Sequence, residues 1–246
     1  MSLGARAADG TGAPSASNGD LLVSDCGEHL NAQPEAAKRD RRFGAVEDES
    51  VTPCFTPGTV IATPQGARAV ETLQPGDKVL TRDNGLQEIR WIGSKRVGGR
   101  DLAAAPHLNP VLIRQGALGN GLPERDMRVS PNHRVLVASD RTALYFEERE
   151  VLVSAKHLVN HRGVHDVPCT GITYIHFLFD RHEVVLSDGA WTESFQPGDR
   201  SLKGIGNAQR TEILELFPQL ATREGVRRFP AARRVLSRHE AGQLGD

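Results

Sequence analysis

The sequence predicts an all-β domain, framed by a polar N-terminal segment and a small helical tail. Two observations carry that expectation. Short runs rich in Val, Ile, Leu and Thr recur through the middle of the chain, separated by Gly, Pro, Asn and Asp. Helical character is confined there to one short stretch, 154–159. Strands so close together, without helices between them, favour a sandwich or barrel over βαβ units.

Taken in order, residues 1–53 carry a net charge of −4 and are rich in Ala, Gly, Ser and Asp. Such a stretch buries too little apolar surface to offset its ordering entropy, and it is predicted to be disordered. Strand-like runs follow at 59–63, 67–73, 78–81, 87–92, 111–114, 127–129, 134–137 and 151–153. Pro75-Gly76-Asp77 and Asp83-Asn84-Gly85 are turn signals, since Gly and Asn tolerate the positive φ of tight turns. The apolar stretch 172–186 reads as two strands around a bend at 180–182. The tail changes period: 208–217 sets Ile213, Leu214, Leu216 and Phe217 on a helical face that Pro218 ends. Further on, Val235, Leu236 and Leu244 lie among Arg227, Arg228, Arg233, Arg234 and Arg238. A solvated face of a helical appendage is favoured there over a nucleic-acid patch. The division is therefore 1–53, 54–195 and 196–246.

Composition removes several function classes. The 246 residues hold 30 Lys+Arg and 31 Asp+Glu, net −1, which gives no global electrostatic case for nucleic acid. No apolar run approaches the ~20 residues of a membrane span. Residues 1–20 lack the apolar centre of a signal peptide, so the compartment stays open between the cytoplasm and a signal-less export route. Cys26, Cys54 and Cys169 are too far apart for a disulfide framework or a zinc pattern. Neither a dinucleotide nor a Walker fingerprint occurs, and no cofactor is expected.

Three groups of residues are suited to chemistry. Cys54 opens the β region, in Thr52-Pro53-Cys54-Phe55-Thr56-Pro57-Gly58-Thr59. A thiol there reaches the preceding carbonyl through a five-membered ring, and attack converts the Pro53–Cys54 amide to a thioester. The alternative is an idle buried cysteine. Ser130 and His133 lie three apart between two strands, in Val129-Ser130-Pro131-Asn132-His133-Arg134. The imidazole suits protonation of a departing amide nitrogen; the hydroxyl suits a hydrogen bond to the carbonyl or to the histidine. His176, Asp180, His182 and Glu183 collect ligand-like side chains, but their spacing is not that of a helical zinc motif and a metal is not favoured. Trp91 and Trp191 read as packing residues.

Together these residues resemble a Hint domain, the self-processing module shared by hedgehog C-terminal domains and inteins. The opening Cys54-Phe55-Thr56-Pro57-Gly58-Thr59-Val60-Ile61 is similar to the module's C-f-x-x-G-T-x-I. Val70-Glu71-Thr72-Leu73-Gln74-Pro75-Gly76-Asp77-Lys78-Val79 is similar to its v-e-x-L-x-x-G-D-x-V, and Ser130-Pro131-Asn132-His133 to its T-x-x-H. Trp91-Ile92-Gly93 and Asp180-Arg181-His182-Glu183 resemble a bacterial branch of the family. The resemblance covers 54–195. It implies a compact all-β horseshoe, or β-disk, with Cys54 as nucleophile and His133 and Ser130 assisting the acyl shift. His176 lies in the block that supplies a further catalytic residue in inteins. The substrate would be the chain's own N-terminal segment and the acceptor water or a thiol; the alternative is a silent module used for binding.

One departure bears on the outcome. Inteins end in His-Asn, and the asparagine cyclises to release the downstream segment. Glu193-Ser194 stands where that pair is expected. Activity is therefore expected to stop at thioester formation and N-terminal cleavage, without splicing. Pro53 stiffens the backbone just upstream of the nucleophile.

Overall fold

The structure is a computed structural model that describes residues 52–160, 162–198 and 201–244. The disorder predicted for 1–53 falls outside them, apart from Thr52 and Pro53. The strands in order are β1 (Val60–Thr63), β2 (Gly66–Ala69), β3 (Lys78–Thr81), β4 (Gly85–Glu88) and β5 (Trp91–Gly98). They continue with β6 (Val111–Ile113), β7 (Met127–Val129), β8 (Arg134–Ala138), β9 (Glu150–Ser154) and β10 (Val164–Asp166). The last are β11 (Gly171–Leu178), β12 (Val184–Ser187), β13 (Ala190–Glu193) and β14 (Arg234–Val235). The helices are α1 (Gly99–Ala104), α2 (Asp140–Phe146), α3 (Ser201–Gly204), α4 (Asn207–Leu216), α5 (Arg223–Arg227) and α6 (Arg238–Gly242).

The β architecture is the one the sequence predicts. A nine-stranded sheet runs β14-β9-β8-β13-β12-β1-β2, with β3 pairing β12 and β4 pairing β3. A three-stranded sheet runs β10-β6-β7, and β11 pairs β5 over eight residues. The Asn84-Gly85 signal closes the β3–β4 hairpin, with Gly85 at φ +65. Pro75-Gly76 sits in the middle of a turn closed by Asp77 N–H on Gln74 C=O, with Gly76 at φ +94 as a type II turn requires.

The structure differs from the sequence pattern in several places. The run 87–92 is two strands rather than one, because Ile89 turns its N–H to Asp77 C=O and Arg90 turns its N–H to Leu178 C=O. The stretch 154–159 contributes only a 3-10 turn over Ala155–His157. Helices α1 and α2 have no counterpart in the sequence pattern. α2 is seven residues long, too short for a period, and rests on a local cap in which Ser139 Oγ accepts the Thr142 N–H. The two strands read in 172–186 are present as β11 and β12; β11 joins β5, and β12 joins β13, β1 and β3.

The tail packs on the sheets. Leu202, Ile205, Ile213, Phe217, Leu220 and Phe229 share one apolar cluster with Trp91, Leu178 and Phe195. Trp91 Nε1–H donates to Glu212 at 2.9 Å, and Gln209 Nε2–H donates to Ser94 C=O at 2.8 Å. β14 adds a parallel strand beside β9, where a wholly helical segment was expected. Arg233 pairs with Asp83 and Glu150, and Arg234 with Glu240. Within α4, Ile213 is fully buried but Leu216 is 52% exposed, so Leu216 is not on the inward face.

Residues 54 and 55 stitch the two smaller sheets together. Phe55 donates its N–H to Ile175 C=O at 2.7 Å and accepts the Ile175 N–H at 2.9 Å. On the other side it bridges Val129, where Ser130 N–H donates to Cys54 C=O at 2.9 Å. The Phe55 ring is buried, stacked on Phe177 at 5.2 Å and edge-on to His133 at 4.4 Å. Phe55→Ala is expected to lower the unfolding free energy by about 3–5 kcal/mol in urea titration. On the tail, Ile213→Ala should cost about 2–5 kcal/mol, whereas Leu216→Ala should stay within about 0.5 kcal/mol.

Candidate active site at Cys54

The antiparallel bridge of Phe55 to Ile175 sets Cys54 opposite His176. The Cys54 Sγ lies 3.4 Å from His176 Nδ1 and 3.1 Å from the Thr52 carbonyl oxygen, to which the thiol donates. Ser130 follows β7 and completes the group. Its Oγ accepts the Cys54 N–H at 2.8 Å and donates to Thr52 C=O at 2.8 Å. One hydroxyl therefore holds both the nitrogen of the Pro53–Cys54 bond and the carbonyl one residue upstream. Sequence spacing suited Ser130 to the scissile carbonyl or to His133; it sits instead on Thr52 C=O and on the Cys54 nitrogen.

Burial dominates the electrostatics. Cys54 is 4% exposed, and burial pushes its thiol well above the ordinary range, so it rests protonated. His176 is sandwiched between the rings of Trp91 at 5.2 Å and Phe195 at 5.3 Å. Burial, with help from Lys95, pulls its pKa down to about 4, so its ring is neutral at pH 7. The Trp91-Ile92-Gly93 motif now has a physical reading. Gly93 is paired across from His176, and a Cβ there would run into the Trp91 indole. Only glycine lets the indole fold back against the imidazole.

His133 is close by without touching the Cys54 amide. Its ring packs on Phe55, and among the described residues neither of its buried ring nitrogens has a hydrogen-bond partner. Burial lowers its pKa to about 4, with Glu193 pulling it upward and Arg134 and His182 downward.

Behind these groups runs a buried polar network that sequence reasoning did not assign. Glu193 Oε1 accepts the Arg134 N–H at 2.8 Å, and Oε2 accepts Arg134 Nη1–H at 3.1 Å. His182 Nε2 stands 3.2 Å from Glu193 Oε2, off the line of a good hydrogen bond. His182 Nδ1 accepts the Ala232 N–H at 2.9 Å, which leaves the ring proton on Nε2, facing Glu193. Burial raises the Glu193 pKa, but Arg134, His182 and His133 outweigh it and hold the carboxyl below its ordinary value. Glu183 accepts both contacts of the Asn84 amide at 2.9 Å, and burial raises its pKa. Ser194 is tied at both ends to Glu183: its N–H donates to Glu183 C=O at 2.8 Å, and its Oγ accepts the Glu183 N–H at 2.9 Å. The signal for Glu193 was present in the sequence, where it occupies the place of the family's histidine. Among the described residues no group of three or more His, Cys, Asp or Glu side chains is placed to hold a metal ion.

The neutral imidazoles tie this site to acid stability. His133 and His176 have folded pKa values of about 4, against 6.5 for the free side chain. The unfolded chain therefore binds more protons between those values, and stability falls as pH drops through that window. Urea midpoints should be steady just above pH 6.5 and fall steeply from there towards pH 4. In His176→Gln the fall should be shallower.

Comparison with known proteins gives this geometry a family. The family described as Hint domain matches residues 53–199. Among solved structures, the bacterial intein-like domain from Clostridium thermocellum is 15% identical, with a TM-score of 0.39, covering 57% of this chain and 97% of its own. The gp41-1 intein is 13% identical, with a TM-score of 0.33, covering 57% and 97%. A DnaB intein from Synechocystis sp. is 8% identical, with a TM-score of 0.35, covering 58% and 99%. No curated protein sequence matches. A matched stretch that spans more than half of the chain and takes in Cys54, Ser130, His133 and His176 identifies this chain as a member of the Hint domain family.

Proposed function

We propose that this Hint domain carries out self-processing at the Pro53–Cys54 bond by an N-to-S acyl shift. The observation that carries the reading is the Ser130 hydroxyl on the Cys54 nitrogen, with the thiol of the same residue 3.4 Å from a neutral imidazole. The sulfur attacks the Pro53 carbonyl carbon, a C–S bond forms and the C–N bond breaks. The thiol proton passes to His176 Nδ1. The freed Cys54 nitrogen needs one proton to leave as an amine. Ser130 orients that nitrogen; His133, neutral at rest and with ring nitrogens unpartnered among the described residues, takes up a proton from solvent and delivers it there, while His176 returns the thiol proton to solvent, so the step ends with no net change in protons. Intramolecular attack makes proximity the main source of rate.

Water or a thiol then resolves the thioester and releases the chain's own segment up to Pro53. Processing ends there, because Glu193-Ser194 supplies no asparagine to cyclise and Ser194 is held by the Glu183 backbone. The second reading, a silent module used for binding, is favoured by the resting state of the thiol: it is buried, protonated and donating to Thr52 C=O.

Intact-mass measurement of the full chain, with and without dithiothreitol or hydroxylamine, separates the two. Thiol-dependent products 1–53 and 54–246 are expected, and they should be absent in Cys54→Ala. Ser130→Ala should slow their appearance by about a hundredfold. A chain that stays intact over days at several pH values would overturn the processing reading and leave the silent one.

A further inference from the structure

A fully buried carboxylate is expensive unless it is matched, and the cost after relaxation is still several kcal/mol per ion. Glu193 is such a group, with 0% of its side chain exposed. Its cationic partner Arg134 is itself 23% exposed and shared with Gln196, whose Oε1 accepts Arg134 Nη1–H at 2.9 Å. Arg134 is therefore not a dedicated counter-ion, which leaves room for a second reason to keep a carboxylate here.

Its place in the sheets suggests the reason. β13 pairs antiparallel with β8, Thr192 facing Val135, so one step along Glu193 comes opposite Arg134. The Glu193 carboxylate grips the backbone N–H of Arg134, the peptide group directly after His133. His133 itself is buried with both ring nitrogens unpartnered among the described residues, so no hydrogen bond from them stabilises its protonated form at rest.

We propose that Glu193 is the positioning residue of the site, which fixes the backbone beside His133 and supplies the counter-charge for the imidazolium that forms when His133 carries a proton. The inference rests on the acyl-shift reading for its role in the reaction, and on the bond from the Arg134 N–H to Glu193, on the peptide next to His133, for the coupling. The arrangement parallels the buried aspartate that orients and compensates a catalytic histidine elsewhere. The groups that feel the Glu193 charge are Arg134 from β8, His133 from the turn before it, His182 from the loop between β11 and β12, and the Cys54 thiol, which it helps to keep protonated. Arg134 and His182 oppose protonation of His133, and Glu193 favours it.

The test uses the full chain in two backgrounds. In the non-cleaving Cys54→Ala chain, the His133 ring is titrated by NMR with and without Glu193→Gln. Removal of the charge should move the His133 midpoint to lower pH by about one unit or more, a tenfold loss of proton affinity. An unchanged midpoint in a folded chain overturns the proposal. In the Cys54-bearing chain, Glu193→Gln should slow thiol-dependent cleavage at least about tenfold and shift its pH profile in the same direction, with partial rescue by Glu193→Asp. Cleavage at the unsubstituted rate and pH profile overturns it. If the unsubstituted chain does not cleave, the acyl-shift reading falls, while the titration still decides whether Glu193 sets the charge on His133. Should Glu193→Gln fail to fold, the reciprocal titration of the Glu193 carboxyl in Cys54→Ala against Cys54→Ala/His133→Gln serves. Coupled groups give a higher Glu193 midpoint without His133, and equal midpoints overturn the proposal.

Discussion

The paired hydrogen bonds between Phe55 and Ile175 hold the rest of the site in register. They set Cys54 across from His176, while the bond from Ser130 N–H to Cys54 C=O brings in the end of β7 from the other side. A one-residue slip would turn Cys54 to the opposite face of the ladder and away from both partners. The large apolar side chain at 55 opposes such a slip, because its ring is buried between Phe177 and His133. The position of Cys54 is thus enforced by the burial of its neighbour.

The site is built from neutral parts near the thiol and charged parts behind them. Cys54, His176 and His133 are all kept uncharged by burial. Glu193 and Arg134 form the charged pair on the far side of the His133 turn, with His182 beside them. In a low-dielectric interior, a proton that moves between the neutral groups meets fixed charges that need no reorganisation. The two layers come from different parts of the chain: the first from 52–55, 130–133 and 176, the second from 134, 182 and 193.

Much of this is legible in the residues alone. The β class, the turns at Gly76 and Gly85, the split of 172–186 and the family resemblance all follow from local residue patterns. The residues that resemble the family's blocks are the ones found near the thiol, since short motifs at strand ends keep their meaning out of context. The rest depends on partners distant in sequence. Nothing local says that the Ser130 hydroxyl takes the Cys54 nitrogen while His133 stands clear of it; that depends on two sheets meeting at Phe55. The helices α1 and α2 are too short to show a period, and α2 depends on a single capping serine. Leu216 fits a helical stripe on paper, but the turn at Pro218 lets Phe217 and Leu220 take the inward positions instead. The pairing of Glu193 with Arg134 was hidden, because Arg134 lies 59 residues away and meets it only where β8 and β13 lie side by side.

Trp91 presses on the imidazole of His176 and gives its indole N–H to Glu212 of α4. The wall around His176 is therefore shared with the tail. A graft cut after residue 195 would carry Cys54, Ser130 and both histidines, but it would bare Trp91, Leu178 and Phe195, which share one cluster with the tail. Contiguous apolar surface of that kind invites association with other chains. The piece that can be moved between proteins with its core covered extends to Leu244, and the tail travels with Cys54 and His176 as part of their housing.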